Sequence, residues 1–228
     1  MVINIDKPFG WTSSDVVRKL KYTMIHAGYP RKVKIGHAGT LDPLATGVLL
    51  ICTEKDTKRV ETLQAQAKEY VFTLELGATT VSYDAEHPVS ERMAYEHITR
   101  EMVERVMSTF KGAQDQIPPI YSAKQIDGKR AYDYARDGQT VELKVAQVEI
   151  YDIELLKFDL PYLTLRVECS KGTYVRSLAR DLGVELSSGA YLTELRRTKN
   201  GGYSVLDSID LERAMEILSQ YEGESETK

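Results

Sequence analysis

GHAGTLDPLATG, Gly36 to Gly47, runs directly into the apolar stretch Val48-Leu49-Leu50-Ile51. Its three glycines allow turns closed to other residues. Pro43 confines the preceding Asp42 to extended conformations. The stretch therefore reads as a stiff loop feeding a buried strand, with one carboxylate, Asp42, and one imidazole, His37, held five residues apart. An Asx-type turn, in which Asp42 bonds its own backbone, is the competing reading.

Elements of both kinds surround this loop. Met1–Lys7 reads as an entering strand. Thr12-Ser13-Ser14 offers an N-cap to a helix with apolar residues at Val16, Val17, Leu20, Met24 and Ile25, ended by Gly28 and Pro30. Tyr70, Phe72, Leu74 and Leu76 alternate as one face of a strand. Thr99 caps a helix through Met102, Val103, Val106, Met107 and Phe110. A short helix is expected near Ala131–Arg136. Strands follow near Val148–Leu156 and Leu163–Cys169. Thr173 is expected to cap a helix stopped by Gly183, and a last helix carries Leu211, Ala214, Met215 and Leu218. The irregular order predicts an α+β domain over residues 1–220 with a mixed, mainly antiparallel sheet flanked by helices, not a repeating βαβ unit. Residues 221–228 read as a frayed acidic tail.

Composition narrows the function classes. The 228 residues are 42% hydrophobic and 28% charged, ordinary for a globular chain. No apolar run is long enough to span a membrane, and the N-terminus lacks a secretory pattern, so a cytoplasmic location is expected. Cys52 and Cys169 read as buried free thiols. No Cys/His spacing suits zinc. The endings of a nucleotide P-loop and of GxGxxG are absent, so neither a metal nor a nucleotide cofactor is expected. Net charge is −4, yet residues 1–60 carry ten Lys/Arg against five Asp/Glu. A local basic field can bind phosphates on an acidic protein.

Three further stretches carry chemistry. In CSKGTYVR (Cys169–Arg176) a strand ends, a Lys-Gly pair turns, and Arg176 falls in the first turn of a helix. The helix dipole disfavours a cation there, so a carboxylate or phosphate partner is expected. Around Tyr121, Lys124, Lys129, Arg130 and Tyr132 cations interleave with rings, as on an RNA surface. Leu195-Arg196-Arg197-Thr198-Lys199 could grip phosphates or be a solvated charge run.

Together these stretches resemble the TruB family of tRNA pseudouridine synthases. The likeness starts at Asp6-Lys7-Pro8-Phe9-Gly10-Trp11-Thr12-Ser13 and continues through the Asp42 loop, Lys68-Glu69-Tyr70, Leu76-Gly77, Asp84, Gln116–Gly138, CSKGTYVRSLARDLG and Leu192–Arg197. It departs at Gln125, where the family has a lysine and this chain has Lys124 one place earlier, and after Gly77. It also implies a short form, without the C-terminal RNA-binding (PUA-type) domain common among relatives.

The resemblance implies a pseudouridine-synthase catalytic domain with RNA-binding loops, acting as a monomer on the T-arm of tRNA. It carries over three catalytic residues: Asp42, Tyr70 as the ring that stacks on the target base, and Arg176 as the partner of Asp42. It assigns Asp84 to the support of Arg176, His37 to RNA contact, and Leu195 to the uracil pocket. It sets Lys7 beside the site. Lys124, Tyr174, Arg196 and Arg197 are further candidates for RNA contact. Isomerising uridine needs no redox step and no second reactant, so one ionised carboxylate suffices, as nucleophile or as base. Three other readings compete: an RNA-binding factor without catalysis, the catalytic subunit of a guide-RNA particle, and a glycoside hydrolase. The last needs two carboxylates, and no motif marks a second beside Asp42.

Overall fold

The computed structural model describes residues 1–122, 125–126, 129–130, 134 and 143–220. The expected helix near 131–136, apart from the helical Tyr134, the Lys124 contact and the 221–228 tail lie outside them. The fold class is α+β with a central sheet. By internal contacts the chain forms two compact units, Met1–Tyr70 with Arg196–Lys228, and Val71–Leu195.

In the first unit, β1 (Val2–Lys7) pairs antiparallel with β3 (Ala45–Thr53), and β2 (Ile35–His37) pairs with the far part of β3. Val48 to Cys52 are fully buried, which is why β3 reads as a continuous apolar run and not an alternation. Each such side chain contributes about 1.5–3 kcal/mol of transfer free energy. Helix α1 (Ser13–His26) begins with a complete capping box: Thr12 accepts from the backbone of Asp15, whose carboxylate accepts from the Thr12 backbone. Val16, Leu20 and Met24 are its buried stripe. Thr12→Ala is expected to destabilise the protein by about 1 kcal/mol, measurable by urea titration. α2 (Val60–Ala65) and the closing helix α5, which is Leu211–Ser219 capped by Asp210, complete this unit; α4 is introduced below.

In the second unit, β4 (Lys68–Leu76), entered from the first, buries Tyr70, Phe72, Leu74 and Leu76 in strict alternation. A small hairpin follows from β5 (Ala78–Thr80) and β6 (Val89–Arg92). Helix α3 (Arg100–Thr109) is capped by Thr99. Strand β7 (Gly112–Gln116) leads to two short strands, β8 (Gln125–Ile126) and β9 (Lys129–Arg130). The long strand β10 (Ala146–Asp159) pairs antiparallel with β7 and with β11 (Tyr162–Cys169). Helix α4 (Val175–Glu185) packs its buried face inward, and β12 (Ala190–Asn200) returns the chain to the first unit, where it turns into β13 (Tyr203–Ser204). Cys52 and Cys169 are buried free thiols. Among the described residues no helix is long and apolar enough to cross a membrane.

Two expectations at α4 are corrected. Tyr174, not Thr173, is the N-cap, and it makes no side-chain cap bond. The Thr173 hydroxyl instead donates back to the Ser170 carbonyl at 3.0 Å, closing the turn after β11. Gly183 lies inside the helix. A Cβ there would come within 2.3 Å of the Ala190 nitrogen, so its role is close approach to the chain entering β12 and not helix termination.

Candidate active site

The Asp42 loop is anchored almost residue by residue from within its own unit. Ala38 donates to the Leu50 carbonyl at 2.8 Å, and the Ala38 carbonyl accepts from the Asn200 amide at 3.2 Å. The Arg197 guanidinium donates to the carbonyls of Gly39 (3.0 Å), Thr40 (3.5 Å) and Val48 (2.7 Å). Ser13 Oγ accepts from the Leu41 nitrogen at 2.9 Å. The Asp42 carbonyl accepts from the Ala45 nitrogen at 3.1 Å. The Pro43 carbonyl takes two donors, the Gly10 nitrogen at 2.9 Å and Lys7 Nζ at 3.3 Å. Finally, the Gly47 nitrogen donates to Asp6 at 3.1 Å, and Asp6 is held bidentately by Arg196, at 2.6 and 3.0 Å. Gly47 sits at φ +99, and a Cβ on it would fall 2.1 Å from the Arg197 carbonyl oxygen. A loop held this way has little freedom left, so its half-buried carboxylate is preorganised.

Arg197, a candidate for RNA contact, and Lys7, expected beside the site, are both spent inside this scaffold. Arg197 is 1% exposed and Lys7 0%. Besides Pro43, Lys7 Nζ donates to the carbonyls of Pro8 at 2.9 Å and Trp11 at 2.6 Å. Buried cations must satisfy their donors within the protein, so both serve as loop anchors, and Arg197 is corrected as an RNA ligand. Burial lowers the Lys7 ammonium to about 8; the Asp42 charge opposes that shift and Arg197 adds to it. Arg196, half-buried, is engaged by Asp6 and Thr46. Lys199 pairs with Glu69 at 3.1 Å. The cations of the basic run thus meet different partners: Arg197 is buried against the loop, while Arg196 and Lys199 pair with carboxylates and stay partly exposed.

His37, at the end of β2, keeps its Nδ1 buried without a hydrogen-bond partner. Burial, then the Arg197 charge, lowers its pKa, so the ring is held neutral. Tyr70 is 8% exposed on the inward face of β4.

In the second unit Arg176 occupies the first turn of α4 and is buried with Asp84, Nη1 to Oδ2 3.4 Å. The same guanidinium donates to the Ser82 carbonyl at 3.2 Å and the Tyr121 carbonyl at 2.8 Å. Asp84 also accepts from Ser82 Oγ at 2.6 Å and the Glu86 nitrogen at 3.0 Å. The carboxylate expected beside a cation at a helix N-terminus is thus Asp84, and its other bonds fix the rotamer of both. Asp84, Glu86 and His87 bring their donor atoms within 4.8 Å of one another, but the Asp84 carboxylate is already occupied by Arg176, Ser82 and the Glu86 backbone. Tyr174 is half-buried, and its backbone nitrogen donates to Gln116 at 2.8 Å. Leu195 is half-buried on β12. Asp42, His37 and Tyr70 belong to the first unit, and Arg176, Asp84, Tyr174 and Leu195 to the second.

Sequence reasoning missed Asp6, Ser13, Asn200 and Ser82 as supports. Only Asp6 and Ser13 gave a signal, as the ends of the DKPFGWTS stretch. Asn200 meets its partner across 162 positions of chain, which no local pattern reveals.

The comparisons with known proteins agree with this scaffold. The model of the TruB family pseudouridylate synthase N-terminal domain matches residues 27–175. The tRNA pseudouridine synthase B of Phocaeicola vulgatus is 52% identical over 98% of this chain and 95% of its own length. That of Clostridium tetani is 47% identical over 92% of this chain and 71% of its own. Among solved structures, a chain of a Cbf5-Nop10-Gar1 complex superposes with a TM-score of 0.72 at 30% identity, over 94% of this chain. This chain spans about half of that one, 53%. A chain whose scaffold holds the Asp42 loop, and whose sequence matches so much of these relatives, belongs to the TruB family of pseudouridylate synthases.

Proposed function

We propose that this enzyme isomerises a uridine of the tRNA T-loop, at position 55, to pseudouridine, with Asp42 as its catalytic carboxylate. The observation that carries the tRNA assignment is the 52% identity, over nearly the whole of both chains, to a relative named tRNA pseudouridine synthase B. The guide-RNA reading has weaker support, since the Cbf5 complex chain is 30% identical and only about half covered.

The reaction breaks the N1–C1′ bond, turns the detached uracil, and joins C5 to C1′; the C5 proton then leaves. Asp42 either attacks C1′ or takes the C2′ proton. Arg176 is assigned to keep that carboxylate charged, since a nearby cation stabilises the ionised form, and Asp84 holds Arg176 in position. The target base must leave its stack, at a cost of a few kcal/mol. Tyr70 offers a ring for the extruded base, worth about 1–3 kcal/mol, and a hydroxyl for proton transfer. His37, neutral and on the anchored loop, contacts the RNA where the base departed, and Leu195 lines the uracil pocket. The T-arm is the element recognised, the enzyme acts as a monomer in the cytoplasm, and Lys124 is retained as an RNA contact.

Purified enzyme incubated with unmodified tRNA transcript is expected to give one pseudouridine, in the T-loop, on chemical mapping. Modification at another position only, or none, would reject the assignment.

A further inference from the structure

From Val16 to Leu41 the chain carries six Lys or Arg residues, Arg18, Lys19, Lys21, Arg31, Lys32 and Lys34, and no Asp or Glu. The fold gathers part of this stretch around an open cavity of about 700 Å³, lined from α1 and β2. That is within the roughly 300–1,000 Å³ of ligand-sized clefts. Val17 and Ile25 supply apolar lining, and Arg18 and Lys21 supply charge. Arg18 is paired with Asp15; Lys21 has no anionic partner among the described residues. Tyr22 is 61% exposed. Its ring is backed by His26, centroids 3.8 Å apart, and the His26 Nδ1 lies 2.9 Å from the Tyr22 carbonyl oxygen. An exposed, pre-stacked aromatic ring beside a free cation suits a base and its phosphate better than a peptide. Gly36 and His37, at the start of the stretch that carries Asp42, also line the cavity, within the same unit.

We infer that this groove is a nucleotide subsite of the RNA interface. It takes one unpaired nucleotide near the target uridine, with the base on Tyr22 and the apolar lining and the phosphate on Lys21. The inference rests on the RNA reading given above.

The test measures affinity for an unmodified tRNA transcript across a salt series, for the wild type, Tyr22→Ala, Lys21→Gln and a remote control, Lys157→Gln. Tyr22→Ala is expected to weaken binding by roughly 5- to 100-fold. Lys21→Gln is expected to weaken it and to lower the log–log salt slope by about 1. The control should match the wild type in affinity, salt slope and turnover. Ultraviolet crosslinking should join RNA to the tryptic peptide Tyr22–Arg31, and Tyr22→Ala should remove that product. Wild-type affinity and slope in both groove variants, with crosslinks only in other peptides, would overturn the subsite while leaving the enzyme's RNA activity standing. A wild-type enzyme that neither binds nor modifies tRNA would instead remove the underlying reading, and the subsite with it.

Discussion

Asp42→Asn is expected to abolish turnover while the protein stays folded and still binds RNA. The amide has nearly the shape of the carboxylate but neither its charge nor its basicity. The anchors of the loop are backbone groups of its neighbours, together with the Asp42 carbonyl, and the substitution touches none of them. The loss of the charge that favours the buried Lys7 ammonium should lower the melting temperature modestly without unfolding the protein. Removing a catalytic acid–base group costs roughly 100- to 10,000-fold in rate, and loss of a nucleophile costs at least as much. Tritium release from tRNA labelled at uridine C5 measures the rate, and filter binding measures affinity. Substantial release by the variant would show that another group performs the chemistry.

The second large effect is expected at a residue buried beneath the loop, Arg197. Arg197→Met should destabilise the fold by about 2–5 kcal/mol, because it strips a buried donor from three carbonyls and an unsatisfied buried acceptor costs about 1–3 kcal/mol. The methionine keeps much of the apolar stem but returns none of the hydrogen bonds. Gly39 and Thr40 lie two or three residues before Asp42, so turnover should fall with the loop's order, even at temperatures where the variant is folded. An RNA-contact role predicts the opposite pattern: unchanged stability, weaker binding and a smaller salt slope. Urea unfolding and salt-dependent binding on the same sample decide between them.

The contrast between these two residues shows how legible the protein was. Asp42 was singled out because its signal is local: glycines and a proline fix backbone conformation within a few residues, and no other ionisable group but His37 stands in the stretch. Arg176 was legible for a similar reason, since a cation in the first turn of a helix calls for an anion; Asp84 answers that need at 3.4 Å. The alternating face of β4, the capping box of Thr12 and the buried run of β3 all follow from periodicity and capping within one element. Thr173 and Gly183 were misread because the competing interactions came from outside the helix, a Ser170 carbonyl in one case and the chain at Ala190 in the other.

Arg196 and Arg197 were equivalent on paper, two cations in a basic run. Adjacent residues of a strand point to opposite faces, so one meets Asp6 and Thr46, and the other is buried under the loop carbonyls. The amino-acid sequence by itself determined the α+β class and the family, because these depend on local conformation and on residues adjacent along the chain. Only the tertiary structure decided which cations anchor the loop and which remain at the surface. The partners of these cations are set by contacts between residues up to 190 positions apart, and those contacts do not exist until the chain has folded.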